Sequence, residues 1–249
     1  MSKPIYFVGG GKGGVGKSLV AIALTDYLVH RAGEAVLVLE TDTANPDVAP
    51  CFEDAPDVRV ELADLDRDEG WMRFADLCER YPDDAVVVNT AARNHAGVAE
   101  HGYILDAALA ELGRELVVLW VINAERDGLQ LLKAFVEAMP GHAVHVLRNL
   151  KHGPEASFDL YNASRLREAV EAAGGTTANV PKLAADVAKG LFSDRLSVAA
   201  ALRVMPIGNR AALAGWRQRR QVVGDGSNLV GWEGFRRKSG GWHGGFLKK

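Results

Sequence analysis

Eight consecutive residues, Gly11-Lys12-Gly13-Gly14-Val15-Gly16-Lys17-Ser18, satisfy the spacing G-x-x-x-x-G-K-[ST]. Glycines at these positions let the backbone curl until several N–H groups converge on phosphate oxygens. Lys17 is spaced to reach the β- and γ-phosphates, and the Ser18 hydroxyl to ligate Mg²⁺. The loop follows an apolar run, Ile5–Val8, and opens a helical stretch, Lys17–Arg31, whose dipole adds positive potential at the same point. A strand–loop–helix setting is the one in which this motif binds phosphate.

Two acidic or amide-bearing segments also follow apolar runs. Ala35–Leu39 ends in Glu40-Thr41-Asp42, with Asp47 five residues on, and Ala85–Val88 ends in Asn89. Polar groups at the C-terminal edge of a parallel sheet fall where open α/β folds bind ligands. Asp42 and Asp47 also suit an ordinary turn.

Lys12 is a second lysine inside the loop. Lys12 through Ser18 match K-G-G-x-x-G-K-[ST] at every position, and on those residues the chain resembles the ParA/MinD superfamily of deviant Walker A P-loop ATPases. The resemblance implies ATP and Mg²⁺ as cofactors, and a homodimer formed on ATP binding in which Lys12 reaches the partner's phosphates. It implies catalytic roles for Lys12, Lys17 and Asp42, the last positioning the attacking water. The implied nucleotide contacts are Gly11, Lys12, Gly13, Gly14, Val15, Gly16, Lys17, Ser18, Leu19 and Asn149. The implied metal shell is Ser18, Asp42, Glu40 and Asn89. Two of these depart from the family pattern: Glu40 stands where D-x-D is usual, and Asn89 where the strand usually ends in Asp. An amide keeps an acceptor oxygen but loses the charge, so weak hydrolysis, or a nucleotide-gated adaptor without turnover, is an alternative to an active ATPase.

Asn149, after the run Ala143–Leu147, resembles the family's adenine reader; a turn Asn is the equal alternative. Asn149…Gly153-Pro154 and Pro181-x-Leu183…Phe192-Ser193-Asp194-Arg195-Leu196 are similar to the plasmid stability and conjugal-transfer branch (the StbB/TraL type). That branch implies plasmid DNA as cargo and a partner adaptor protein.

These residues need a scaffold, and its elements are legible as apolar runs. Ile5–Val8, Ala35–Leu39, Ala85–Val88, Leu116–Ile122, Ala143–Leu147 and Thr176–Val180 read as strands buried on both faces. Helical stretches alternate with them: Lys17–Arg31, Gly128–Met139 and Leu160–Ala173, then Lys182–Gly190, Asp194–Val204 and Gly208–Val222. The order predicts an α/β P-loop NTPase fold, a mostly parallel sheet with helices on both faces and a helical C-terminal segment. Residues 1–221 form the expected nucleotide-binding domain. Residues 222–249, with eight glycines in 28 residues, are expected to be a flexible basic tail.

The 249 residues carry a net charge of −3, which excludes neither anionic nor cationic partners, because the charge is unevenly spread. From Arg203 onward ten Lys and Arg face two acids, a balance of +8, and the remainder carries −11. Arg210 and Arg217 share a helical face with Gln221, with Arg219 and Arg220 alongside, so the segment suits non-specific contact with DNA phosphates. Trp232, Phe235, Trp242 and Phe246 in the tail could stack on bases or enter a bilayer surface, the membrane option being the weaker. Two cysteines, Cys51 and Cys78, build no disulfide framework or zinc site, and His142 and His145 are spaced to opposite faces of a strand. The absence of a secretory signal and of a long apolar run leads to the expectation of a cytoplasmic protein.

Overall fold

The computed structural model describes residues 3–219; Arg220 and the expected tail at 222–249 lie outside the described residues. Seven strands form one parallel sheet: β1 Ile5–Gly10, β2 Val36–Glu40, β3 Val58–Leu62, β4 Ala85–Asn89, β5 Leu116–Ile122, β6 Val144–Asn149 and β7 Thr177–Val180. The spatial order is β3-β2-β4-β1-β5-β6-β7, and every pairing is parallel. The first strand therefore lies centrally; on one side β4 is inserted between it and β2, and on the other β5, β6 and β7 follow outward in sequence order.

Among the described residues there are ten helices, seven between the strands and three after β7: α1 Lys17–His30, α2 Asp68–Arg80, α3 His95–His101, α4 Tyr103–Leu112, α5 Arg126–Ala138, α6 Asp159–Asn162, α7 Arg165–Ala172, α8 Ala185–Ser193, α9 Val198–Val204 and α10 Ile207–Arg219. Alternate strand residues feed two cores. Tyr6, Val8, Val38 and Leu119 pack with α1, α8, α9 and α10, whereas Phe7, Leu37, Val88 and Trp120 pack with α2 through α7. Both faces of the central strands are dry, which explains their unbroken apolar runs. The aliphatic α1 is buried on nearly every side because the sheet lies on one flank and α9 and α10 on the other.

The expected fold class is the observed one, with local revisions. The edge strand β3 was not among the expected strands: its sequence, Val-Arg-Val-Glu-Leu, alternates instead of running apolar, because an edge strand is covered on fewer sides. The single helix expected over Leu160–Ala173 is two, α6 and α7, separated where Ser164 caps α7 by accepting the Arg167 N–H at 3.1 Å. The expected helix Asp194–Val204 starts later, at Val198, behind a Ser197 cap. Arg195 adopts φ 52° just before it.

Two arginines, Arg114 buried and Arg217 half-buried, tie distant segments together. Arg114 donates to the carbonyls of Lys3, Cys78, Tyr81 and Asp84, closing the N-terminal edge of the sheet. At the other face Arg217 of α10 forms a two-pronged ion pair with Asp26 of α1 (2.9 and 3.2 Å), whose side chain is only 1% exposed. Trp216 beside it donates to the Pro181 carbonyl at 2.7 Å. Arg217, expected on a DNA-facing surface, is thus turned into the body of the protein. Arg210, one face-repeat earlier, has its Nε buried without a hydrogen-bond partner among the described residues. A helix seven residues further along repeats its face; here that face is the one packed on α1.

Candidate functional site

The C-terminal ends of β1, β2, β4, β5 and β6 converge on one edge, and the loop Gly11–Gly16 crosses it before α1 begins at Lys17. Gly14 and Gly16 sit at φ 78° and 111°, backbone that L side chains rarely adopt. Gly16 is required twice over: a Cβ there would lie 2.4 Å from Asn149 Nδ2. The loop passes so near the start of α5 that a Cβ at Gly11 would lie 2.6 Å from the Gly128 Cα.

Lys17 is 7% exposed and its ammonium donates to the Lys12 carbonyl at 3.1 Å. Burial pushes its pKa below the ordinary lysine value, while Asp42, Asp47 and Glu40 pull it back. A lysine desolvated in this way, with its charge aimed along the loop, favours an incoming phosphate. Lys12 does the opposite: it reaches outward to Glu125 (3.0 Å) and Asp127 (2.8 Å) at the start of α5. The hydrogen bonds it donates to Asp127 and then to Glu125 raise its pKa, and both carboxylates are lowered in turn. Sequence reasoning passed over these two acids; the signal was a pair of carboxylates just beyond an apolar strand.

The acidic loop after β2 is organised by Glu40, which is fully buried. Its Oε1 accepts from Asn89 Nδ2 at 2.9 Å and from the Asp42 N–H at 3.4 Å, and its Oε2 from the Val48 N–H at 2.9 Å. Burial pushes the Glu40 pKa up, against these hydrogen bonds. Asp42 pairs with Arg93 at 3.3 Å, and the same guanidinium also holds Asp66. Asn94, bonded to Asp66 at 2.7 Å, accepts from the Thr41 hydroxyl in a short contact. The loops after β2 and β4 are thereby locked to each other through Arg93 and Asn94. Asp47 accepts the Ser18 hydroxyl at 3.3 Å.

Asn149 is 2% exposed; its amide donates to the Val15 carbonyl at 2.7 Å and its Oδ1 accepts the Lys151 N–H. In this arrangement it fastens the loop from beneath, and the same side chain lines the cavity. That cavity, about 490 Å³, runs from Lys17, Ser18 and Asp47 on one side to Lys182 and Phe192 on the other. A second cavity of about 530 Å³, between α1 and the turn before α9, holds none of the motif's residues. Volume therefore does not choose the site; the converging strand ends do. His142 and His145 are separated, the first bonded to Asp106 and the second buried against Thr176. Burial pushes both cysteine thiols up to about 12, well away from reactive thiolates.

The donor set suits magnesium bound together with phosphates. Among the described residues no three His, Cys, Asp or Glu side chains are grouped to hold a metal alone. Mg²⁺ is ordinarily held by one or two carboxylates plus substrate phosphates, and the oxygens of Ser18, Asp42 and Asp47 flank the phosphate loop. Asn89 Oδ1 is buried without a hydrogen-bond partner among the described residues, an acceptor that a metal-bound water would satisfy.

A loop of this form on a parallel sheet defines a P-loop nucleotide-binding protein, and residues 6–192 match the CobQ/CobB/MinD/ParA nucleotide-binding domain. The chain belongs to that family. It is 49% identical over 226 residues to Protein MobD of Acidithiobacillus ferrooxidans, covering 91% of this chain and 98% of that one. Among solved structures it is similar to the cell division ATPase MinD of Pyrococcus furiosus (17% identity, 87% and 97% of the two chains, TM-score 0.55). It is also similar to a nucleotide-binding protein of Archaeoglobus fulgidus in complex with ADP (14%, 81% and 91%, TM-score 0.50). These structural likenesses concern the fold. No helix among the described residues is long and apolar enough to cross a membrane.

Proposed function

We propose that the protein is an ATP-dependent, dimerising ATPase of the ParA/MinD type that positions or transfers plasmid DNA. The observation that carries this reading is the geometry of Lys12 through Ser18. The loop opens onto a nucleotide-sized cavity with buried Lys17 inside it and Lys12 outside it. Lys17 would bind the β- and γ-phosphates, the loop N–H groups would cradle them, and Ser18 would help hold Mg²⁺, which when bound neutralises phosphate charge. Asp42 would orient water once Arg93 lets go of it. Lys12, on the outer side of the loop, would serve a second copy of the chain. The plasmid assignment is supported by the relative named MobD and by the motifs shared with the conjugal-transfer branch. A partner adaptor protein and a cytoplasmic, DNA-associated location go with that assignment.

The DNA surface would draw on the basic segment beyond Arg203, to which Arg217, paired with Asp26, would contribute little. The test is DNA binding with and without ATP and Mg²⁺ at two salt concentrations, alongside hydrolysis and light scattering. A dimer formed only with ATP, binding DNA in a steeply salt-dependent way, is the expected result. A monomer at saturating ATP and Mg²⁺ would overturn it.

A second reading, a nucleotide-gated adaptor with little turnover, is favoured by Asn89 at the end of β4, where the amide removes a charge from the metal side of the site. Nucleotide-dependent dimerisation without phosphate release would select it.

A further inference from the structure

Of the three acidic residues lining the cavity with Ser18, Asp42 is engaged by the Arg93 guanidinium, and Glu40 and Asp47 take different parts. Glu40 has its lone pairs taken up by Asn89 Nδ2 and by the N–H groups of Asp42 and Val48, so it works as the hub of the loop between β2 and the turn at Ala49. Losing it would strip a buried partner from two segments at once. Asp47 is exposed, lies at the far end of the same loop, and is the carboxylate bonded to the Ser18 hydroxyl. Register then matters. Glu40 and Asn89 are Cα partners on neighbouring strands, so the strand end that faces the loop carries an amide instead of a charge. Asn89 is 3% exposed, its Oδ1 has no hydrogen-bond partner among the described residues, and it lines the same cavity as Ser18 and Asp47. A neutral acceptor there can receive a water but supplies no charge to a divalent cation. The charge must come from elsewhere in the cavity.

We propose that Asp47 supplies the carboxylate of the magnesium shell beside Ser18, and that Glu40, oriented by Asn89, is a positioning residue that holds the loop carrying Asp47. The inference rests on the nucleotide-binding reading above and names residues that reading leaves open. It places the metal's charged partner on the loop after β2 and not at the end of β4.

The test uses the full chain and a fluorescent N-methylanthraniloyl-ADP, titrated first in EDTA and then with Mg²⁺ or Mn²⁺. Asp47→Asn is expected to raise the metal concentration for half-maximal response roughly ten- to hundredfold. Asp47→Glu recovers part of the response. Glu40→Gln raises the metal requirement in the same direction, and the double variant Glu40→Gln/Asp47→Asn is no worse than Asp47→Asn. An unchanged metal requirement in Asp47→Asn overturns the assignment of Asp47. Fully additive effects in the double variant overturn the positioning role of Glu40. A wild-type chain that binds the nucleotide yet ignores both metals overturns the metal assignment while sparing nucleotide binding. A wild-type chain that binds no nucleotide under either condition overturns the nucleotide reading itself. Asp47 is on the surface, so its variants fold.

Discussion

Asn89 donates its side-chain amide to the Glu40 carboxylate across 2.9 Å, from β4 to the adjacent β2, at a position where the two residues are register partners. An amide opposite a buried carboxylate can donate to it; a second carboxylate, when ionised, could not. The two departures from the family pattern therefore touch each other, the longer Glu40 accepting from a neighbour that can donate.

Asn89→Asp, which by family pattern alone should restore the metal site, is expected instead to lower stability in the absence of nucleotide by about 3 kcal/mol, because it sets two buried carboxylates against each other. Urea denaturation of the nucleotide-free protein measures it. Unaltered stability together with faster hydrolysis would show that the pair is not linked.

Asn149→Ala leaves the Val15 carbonyl without its donor and is expected to cost about 1–3 kcal/mol. If the side chain holds the loop, affinity for ATP, GTP and inorganic triphosphate falls together. Loss for ATP alone would identify Asn149 as a reader of the base.

Arg217→Ala removes the two-pronged contact to buried Asp26 and is expected to cost about 1.5–3 kcal/mol, the loss of a hydrogen bond to a charged group. Thermal denaturation tests it. Arg217→Ala in conditions where the protein stays folded should leave DNA binding and its salt slope unaltered. A slope reduced by about one would return Arg217 to the DNA surface.

The clamp of Lys12 by Glu125 and Asp127 carries a pH signature. Both carboxylates have lowered folded-state pKa values, so the clamp is complete above the ordinary carboxylate range. It is lost as pH falls through those lowered values. Carboxyl resonances followed by NMR titration should show Glu125 and Asp127 below the ordinary range, and Lys12→Gln should return them to it. Glu125→Gln/Asp127→Asn, which frees Lys12, is expected to move ATP-dependent dimerisation to lower protein concentration in light scattering. No movement would mean that the clamp does not compete with the dimer.

The sequence by itself determined the phosphate loop, six of the seven strands and the parallel class of the sheet, since each depends on local spacing or on continuous apolar runs. It also exposed Glu40 and Asn89 as departures. It left β3 undetected because an edge strand carries no continuous run, and it merged α6 with α7 because the break rests on a cap, not on a change of pattern. Which partner each charge takes was decided only by tertiary structure. Arg217 and Asp26 are 191 residues apart, Lys12 and Glu125 are 113 apart, and Glu40 meets Asn89 across 49. Periodicity places a residue on a face of its own element, but the charge that face meets is set by the order in which the strands are laid side by side. That order turned an expected DNA-facing arginine inward and tied a lysine expected to reach a partner to its own chain.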